Sequence, residues 1–452
     1  MVPRIPADTL SFACTLFHFC AVFFNLCISA EPATMRTPLA LAFFDNWKKG
    51  FDQGPDSRTR NVYGGSNWAE NVRKVGGDNL RKFADDPEIV ILDIVNGVTV
   101  DSPKTRYRCG LAAKTIFPAL AMLPDGARDK FLYKMLFPGS LPTTDAVSRE
   151  TTRSSADVGV VLITGCDSGF GKLIAVELIK RGFVVVCSCL TAEGRASLPP
   201  DAVGFDGDLT DSSKLQSLVS LTESTVNAAN ECRYFHALVN NAGVCLPANL
   251  EWASFESFSK TFEVNFFLPV ELTYSLLPLL KQSRGRVVNV SSIAGFLAPL
   301  PSLGSYCCSK HALTAYTDTL RCEVEPLGVR VINIEPALMK TPLSVLAPMA
   351  WQKSFDEGPD SRTNDVYGTA WAEKARKRAE DNLKNSAQDP HVTASDIVKA
   401  VTLSNPPSKF KSGWRAKYFF PLVAIIPDKL RDWLTYHAQF PKIAAKADHD
   451  TI

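Results

Sequence analysis

Tyr306 and Lys310 stand four residues apart in YCCSK, and on a helix that spacing puts both on one face. A tyrosine with its ordinary pKa near 10 is a poor base at neutral pH. A neighbouring ammonium favours the phenolate, so the pair reads as a device for moving a proton. A bare Y-x-x-x-K arises often by chance and by itself describes a surface helix. Here it follows Ser292, which closes the β-branched run GRVVNVSS (285–292) with a hydroxyl able to hold an oxygen. Both lie downstream of a glycine turn, and that context turns a common spacing into a candidate catalytic set.

The glycine turn opens on VGVVLITG (158–165), a near-continuous apolar run of the kind a buried parallel strand requires. Cys166, Asp167, Ser168, Gly169, Phe170 and Gly171 follow, then the amphipathic KLIAVELIKRG. Strand, glycine-rich turn and helix together let a backbone approach a pyrophosphate at the positive end of the helix. Further strand-like runs are GFVVVCSC (182–189), HALVNNAG (236–243), GRVVNVSS and GVRVINIEP (328–336), with the glycine-rich GFDGDLTD ending another. Helical patterns such as SFSKTFEVNFFLPVELTYSLLPLL lie between them. This alternation predicts an α/β fold with a doubly wound, Rossmann-type parallel sheet whose ligand lies beyond the C-terminal strand ends.

On TGCDSGFG, NNAG, VNFF, NVSS and YCCSK the chain resembles the short-chain dehydrogenase/reductase family over about residues 157–441. With CLTAEG and RVVNVSS, it is most similar to the branch of retinol, hydroxysteroid and 3-hydroxybutyrate dehydrogenases. The resemblance implies that Tyr306 is the general acid/base and that Ser292 polarises the substrate oxygen. It implies that Lys310 holds the nicotinamide ribose and that Asn265 holds a water in a proton relay. Gly165, Ser168, Gly169, Phe170 and Gly171 would surround the pyrophosphate, and Asp208 the adenine. Asn240, Asn241, Ala242 and Gly243 would line the adenosine side, and Thr341 would reach the nicotinamide end. The cofactor is NAD or NADP, with NAD favoured by the branch; hydride would pass between the substrate carbon and the nicotinamide. No metal is expected.

The chain departs from the family pattern at three points. Ala337 follows Pro336 where glycine is usual. Cys189 ends the second strand where an acidic residue would grip a ribose hydroxyl. GFDGDLTD is unusually glycine-rich. Downstream of Thr341, Leu343, Val345, Leu346, Met349, Trp351 and Phe355 read as an apolar cover over a retinoid or steroid alcohol, or else as residues that pack this lid on the core. Lys340, Lys353 and Arg362 keep a 3-hydroxybutyrate-type acid as an alternative. A nucleotide-binding regulatory or scaffold protein with weak turnover is the rival from another class.

The rest of the chain is organised by a duplication. GPDSRTRNVYG (54–64) returns as GPDSRTNDVYG (358–368), Glu31-Pro32-Ala33 as Glu335-Pro336-Ala337, and Phe137-Pro138 as Phe440-Pro441, with one single-residue slip near Trp68 and Trp371. Residues 31–138 therefore read as an incomplete, non-catalytic repeat of 335–441, tied by a linker (139–157) to the dehydrogenase domain (158–441), with a tail at 442–452. Thr393-Ala-Ser-Asp396 reads as a helix cap that Val90 to Asp93 of the first copy lacks. Residues 1–30 carry the apolar LSFACTLFHFCAVFFNLCISA, a signal or membrane anchor unless its end is a strand matching VINIEPA. A membrane-associated protein of endoplasmic-reticulum type follows, with mitochondrial or cytoplasmic placement and a homo-oligomer kept open. The 452 residues are 46% apolar with a net charge of +2, which gives no footprint for nucleic acid. Twelve cysteines contain no C-x-x-C, and most sit in apolar runs as free thiols; Asn289-Val-Ser291 reads as a chance sequon inside a strand.

Overall fold

Short β-branched runs of valine and isoleucine with no polar alternation suit strands covered on both faces, and the chain pairs them accordingly. The strands are β1 (Val158–Thr164), β2 (Val184–Cys189), β3 (Val203–Asp206), β4 (Arg233–Asn240), β5 (Arg286–Val290), β6 (Arg330–Pro336) and β7 (Lys409–Ser412). They form one parallel sheet in the order β3-β2-β1-β4-β5-β6-β7. The order reverses direction between β1 and β4, which opens a crevice at their C-terminal ends. The sequence pattern pointed to β1 through β6. It left out β7, whose KFKS alternates with lysine as suits an edge strand rather than a buried one.

The computed structural model describes residues 157–440 apart from 229–231, 298–299 and 359–364, together with shorter runs between 29 and 131. The stretch 10–28, nearly all of the linker and the tail lie outside the described residues. The chain falls into two compact units, Met1–Arg149 and Glu150–Ile452, so the division lies within the expected linker.

In the second unit, alternate residues of β1 go to opposite faces. Val161 and Ile163 pack with Ile174 and Leu178 of helix α1 (Gly169–Lys180). Val160 and Leu162 pack with Leu215 and Leu218 of the helix Ser212–Val226 (α2). The same layer takes in Leu272, Leu276 and Leu280 of α3 (Leu268–Ser283) and Leu320 of α4 (Gly304–Val324). Each of these buried side chains contributes ~1.5–3 kcal/mol on leaving water. Cys166, Cys187 and Cys189 belong to this core as free thiols, and Asn289 of the apparent sequon is fully buried.

A helix further along, Pro342–Glu357 (α5), covers the region after β6. Its Trp351 and Phe355 are buried in an aromatic cluster with Trp252, Tyr367, Trp371, Tyr436 and Phe440. Trp371 and Phe440 stack at 5.4 Å, and Trp252 meets Phe355 edge-on at 5.5 Å. These two residues of the expected substrate cover therefore pin the helix to the body. Leu343, Val345, Leu346 and Met349 are exposed.

Beyond the helix Thr369–Ser386, which carries Trp371, the helix Pro390–Thr402 (α6) corrects one expectation. Asp389 caps it, accepting from the His391 N–H at 2.9 Å, and Thr393 lies inside the helix and fully buried. Proline at the first helical position sets the earlier start. The capping contrast between the two copies of the repeat therefore falls away.

In the first unit, Ser29–Pro32 pairs in parallel with Arg106–Cys109, Glu31 opposite Arg108 and Pro32 opposite Cys109. In the large sheet Glu335 stands opposite Lys411 and Pro336 opposite Ser412. Under the sequence match of the two copies these are the same register. The helix Pro38–Gln53 covers the same part of the repeat as α5. Residues 29 and 30 of the apolar N-terminal stretch are thus strand, and no helix among the described residues is long and apolar enough to cross a membrane.

Removing the Trp371 ring should leave a cavity that the rigid neighbouring rings cannot fill. Trp371→Ala is expected to cost ~3–5 kcal/mol in urea unfolding. A loss below ~1 kcal/mol would show that α5 is held by something else.

Candidate active site

The loops leaving β1 and β4 are stitched by one hydroxyl. Thr164 Oγ1, at the end of β1, accepts from the N–H groups of Asn241 and Ala242, each at 3.0 Å. Asn241 Nδ2 returns to the carbonyls of Thr164 at 2.8 Å and Gly165 at 3.1 Å. Packing this close requires glycine. Gly165 has φ +72°, and a Cβ there would sit 2.9 Å from Ala242 Cα; one on Gly171 would strike the Gly165 carbonyl oxygen. The turn lies at the N-terminus of α1, where Ser168 precedes the helix without capping it. Thr341 is brought to this turn, since a Cβ on Gly169 would lie 3.9 Å from its side chain.

Two residues of these motifs have side chains engaged with the protein. The Asn240 side chain points into the core, donating to Asn289 Oδ1 at 2.8 Å and Thr273 Oγ1 at 3.3 Å. Phe170 packs against Ile293, Ala337 and Met339. The Asn240 side chain therefore turns away from the crevice, whereas Phe170 is half-buried beside the turn that Ser292 caps. Asp208, beyond β3, is largely exposed. Its carboxylate accepts from Thr210 N at 3.0 Å and pairs with Lys260 at 3.3 Å, and the Thr210 hydrogen bonds hold its pKa below the usual range. Ala337 does not have a positive φ, so alanine in place of glycine strains nothing.

The catalytic candidates converge between β5 and α4. Ser292 caps the short turn Ile293–Gly295, accepting from Ala294 N at 3.1 Å. That turn lies hard against α4, where a Cβ on Gly295 would be 2.6 Å from the Lys310 carbonyl. Tyr306 and Lys310, one turn apart on α4, both face this point. Lys310 is buried, donates from Nζ to the Val290 carbonyl at 2.9 Å, and has its ammonium 5.7 Å from the Tyr306 ring centroid. A Cβ on Gly243 would lie 3.5 Å from that ammonium, so NNAG closes the far side.

Asn265 sits in the π-helical turn Glu263–Phe267, which joins the helix Phe255–Phe262 to α3. Its amide accepts from Val244 N at 2.8 Å and donates to Val244 O at 2.9 Å and Ser309 Oγ at 3.0 Å. Such turns are frequent at functional sites. This one ties the strand β4 loop to α4.

Burial governs the proton affinities of both groups in the cofactor-free chain. Burial raises the Tyr306 phenol well above its ordinary value, and the hydrogen bond with Ser292 only partly offsets this. Burial lowers Lys310 to about 8. The ammonium keeps its charge while donating to Val290, 5.7 Å from the ring centroid, and burial of the phenol outweighs it. Tyr306 therefore carries its proton at neutral pH, the form that donates to a carbonyl.

Three participants escaped the sequence reading: Thr164, the Val290 carbonyl and Asp167. The Asp167 carboxylate accepts from Leu190 N at 2.8 Å and Thr191 N at 3.1 Å, which places a negative charge at the end of β2. The signal was present, since Asp167 lies within the glycine turn, but its reach across to β2 is tertiary.

These residues fit a dinucleotide: a cradle a Cβ would fill, a helix N-terminus behind it, and a buried ammonium beside NNAG. A family model for short chain dehydrogenase matches residues 159–348. Human 17-beta-hydroxysteroid dehydrogenase type 6 is 32% identical over 278 residues, which cover 61% of this chain and 86% of that protein. Mouse retinol dehydrogenase 7 is 34% identical over 279 residues, 61% and 87% of the two chains, and human retinol dehydrogenase 5 is 35% identical over 293 residues, 63% and 90%. The chain belongs to the short-chain dehydrogenase/reductase family and is an oxidoreductase using a nicotinamide cofactor. Within it, this chain falls in the branch of retinol and hydroxysteroid dehydrogenases.

Tyr306→Phe should lower turnover about 10²–10⁴-fold, the usual share of a general acid/base, with the fold unchanged by circular dichroism. Lys310 gives a stability signature. The folded chain releases its proton near pH 8 and the unfolded chain near 10.5. Between those values the unfolded state holds more protons, so the contribution of Lys310 to the stability of the cofactor-free protein rises with pH by about 3 kcal/mol. The raised thiols of Cys166, Cys189, Cys245 and Cys307 work in the opposite sense above their unfolded value near 9, and the raised phenol above its own near 10, so the test is a difference between two proteins that share them. The stability of Lys310→Met relative to the unmutated protein should fall by about 3 kcal/mol between pH 8 and 10.5 in urea titrations.

Proposed function

We propose that the enzyme interconverts a hydrophobic secondary or allylic alcohol, of retinoid or steroid type, and its carbonyl. The observation that carries this is the apolar character of the stretch after Thr341. It leaves Leu343, Val345, Leu346 and Met349 exposed rather than packed on the core, with no buried cation among them. Lys353 lies 3.9 Å from Glu357, Lys340 is exposed, and Arg362 lies outside the described residues. A small hydroxy acid needs a fixed cation, which disfavours a 3-hydroxybutyrate-type substrate. The names of the relatives point the same way. Such a substrate partitions into lipid, so we take the enzyme to work beside a membrane.

When bound, the nicotinamide supplies the hydride acceptor or donor. Ser292 holds the substrate oxygen, and Tyr306 exchanges the proton with it. Lys310 lends positive charge beside the phenol and the ribose. Asn265 spends its amide on Val244 and Ser309, so a relay water would be met by the backbone of the π turn. The glycine turn and Thr341 would hold the pyrophosphate and nicotinamide ends, and Asp208 the adenine end.

NAD is favoured over NADP. The Asp167 carboxylate occupies the end of β2, where a ribose 2′-phosphate would meet like charge, and Arg195 nearby is paired with Asp206 at 2.9 Å. The first unit carries no part of this site in its sequence, and we read it as a non-catalytic duplicate; the shared strand register supports that reading.

Turnover of retinol, steroid alcohols and 3-hydroxybutyrate, followed by nicotinamide absorbance with each cofactor, tests the assignment. The apolar alcohols should exceed 3-hydroxybutyrate in kcat/KM, and the reverse order would overturn the reading. Asp167→Asn should shift the NAD to NADP preference about tenfold toward NADP, the effect of ~1.4 kcal/mol of relieved repulsion.

A further inference from the structure

Exposed aromatics normally scatter, but those after β7 line up. The π-helical turn Arg415–Phe419 runs into the short helix Phe420–Ala424. Its inner stripe is ordinary: Ala416 has no exposed area, and Phe420 packs against the cluster of Ile293, Ala337 and Met339. The outer stripe is inverted. Trp414 is 55% exposed, Tyr418 69%, Leu422 64% and Ile425 79%, at spacings that fall on one helical face. An apolar stripe turned outward marks an interaction surface.

Charge identifies the partner. No acidic residue occurs between Asp396 and Asp428, while Lys399, Lys409, Lys411, Arg415 and Lys417 do. Lys399 and Lys409 turn to Asp396 and Asp318, at 3.4 and 3.0 Å. The Arg415 guanidinium lies over the rings of Trp414 at 5.2 Å and Phe419 at 5.9 Å, and Lys411 over Phe296 at 4.8 Å. Tryptophan and tyrosine flanked by cations suit the headgroup layer of a bilayer. A second copy suits the face less well, because a two-fold contact would set Arg415 and Lys417 against themselves.

We propose that residues 411–425 dock on an anionic lipid surface, the outer stripe entering the headgroup layer and the cations meeting lipid phosphates. The segment is tied to the approach to the active site. Gln388 accepts from Trp414 N through its side chain at 3.0 Å and from Lys340 N through its carbonyl at 2.8 Å. Docking therefore sets the stretch leading to Thr341 and α5 beside lipid. This deepens the reading that the enzyme works beside a membrane, and it stands or falls separately from the activity.

Hydrogen exchange of the full chain, with and without phosphatidylcholine vesicles doped with phosphatidylserine, tests it. Peptides covering 411–426 should slow on adding vesicles. Arg415→Gln combined with Lys417→Gln should weaken partition to these vesicles about 10- to 100-fold, at ~1 kcal/mol per charge removed, while turnover in detergent stays unchanged. Three results would overturn the proposal: vesicle binding that leaves these peptides unprotected, as an N-terminal anchor alone would give; protection that follows protein concentration without vesicles, as a second copy would give; or undiminished partition of the charge variant. Loss of turnover on every alcohol with the vesicle protection intact would overturn the substrate reading instead.

Discussion

An ammonium withdrawn from water must be met by fixed oxygen, and the burial of Lys310 imposes that requirement on its whole surround. The Val290 carbonyl answers it only because β5 ends there and the following turn folds back against α4. Gly295 has no room for a side chain, and Ser291 bonds the Lys310 carbonyl at 3.1 Å. The positions of Ser292 and Tyr306 follow from this seam. An unpaired charge at that depth would cost several kcal/mol. The catalytic set is thus an outcome of satisfying one buried cation, as much as a cluster of reactive groups.

A second consequence concerns direction. Burial pushes the phenol up and the amine down, so both groups drift toward neutrality in the cofactor-free state. Positive charge arriving beside Tyr306 would favour the phenolate, and its departure would restore the phenol. A site of this kind can serve alcohol oxidation and carbonyl reduction without rearranging its side chains.

Much of this was legible in the chain. The β-branched runs carried β1, β2, β4, β5 and β6 because strands buried on both faces leave no room for polar alternation. β7 was not legible, since an edge strand written KFKS looks like a loop. Tyr306, Lys310, Ser292 and the glycines stood out because spacing and backbone freedom are local properties. Asn240 lay within a motif singled out in the sequence, yet its side chain turns inward, and motif spacing does not specify orientation. Thr164 and Asp167 act across strands, so their partners are set by tertiary pairing. The cap expected at Thr393 failed for a local reason, the proline at 390 that starts the helix earlier.

The π turn at Glu263–Phe267 sets the phase of everything after it. One extra residue in a helical turn advances the following face by about 100°, and this is what brings Leu272, Leu276 and Leu280 onto the sheet while Asn265 still reaches Val244. A single-codon deletion anywhere in this turn would straighten the helix and swing one of those two faces away. Conservative changes at exposed positions there are cheap by comparison. The segment can vary at its exposed positions but not in length, nor at Asn265.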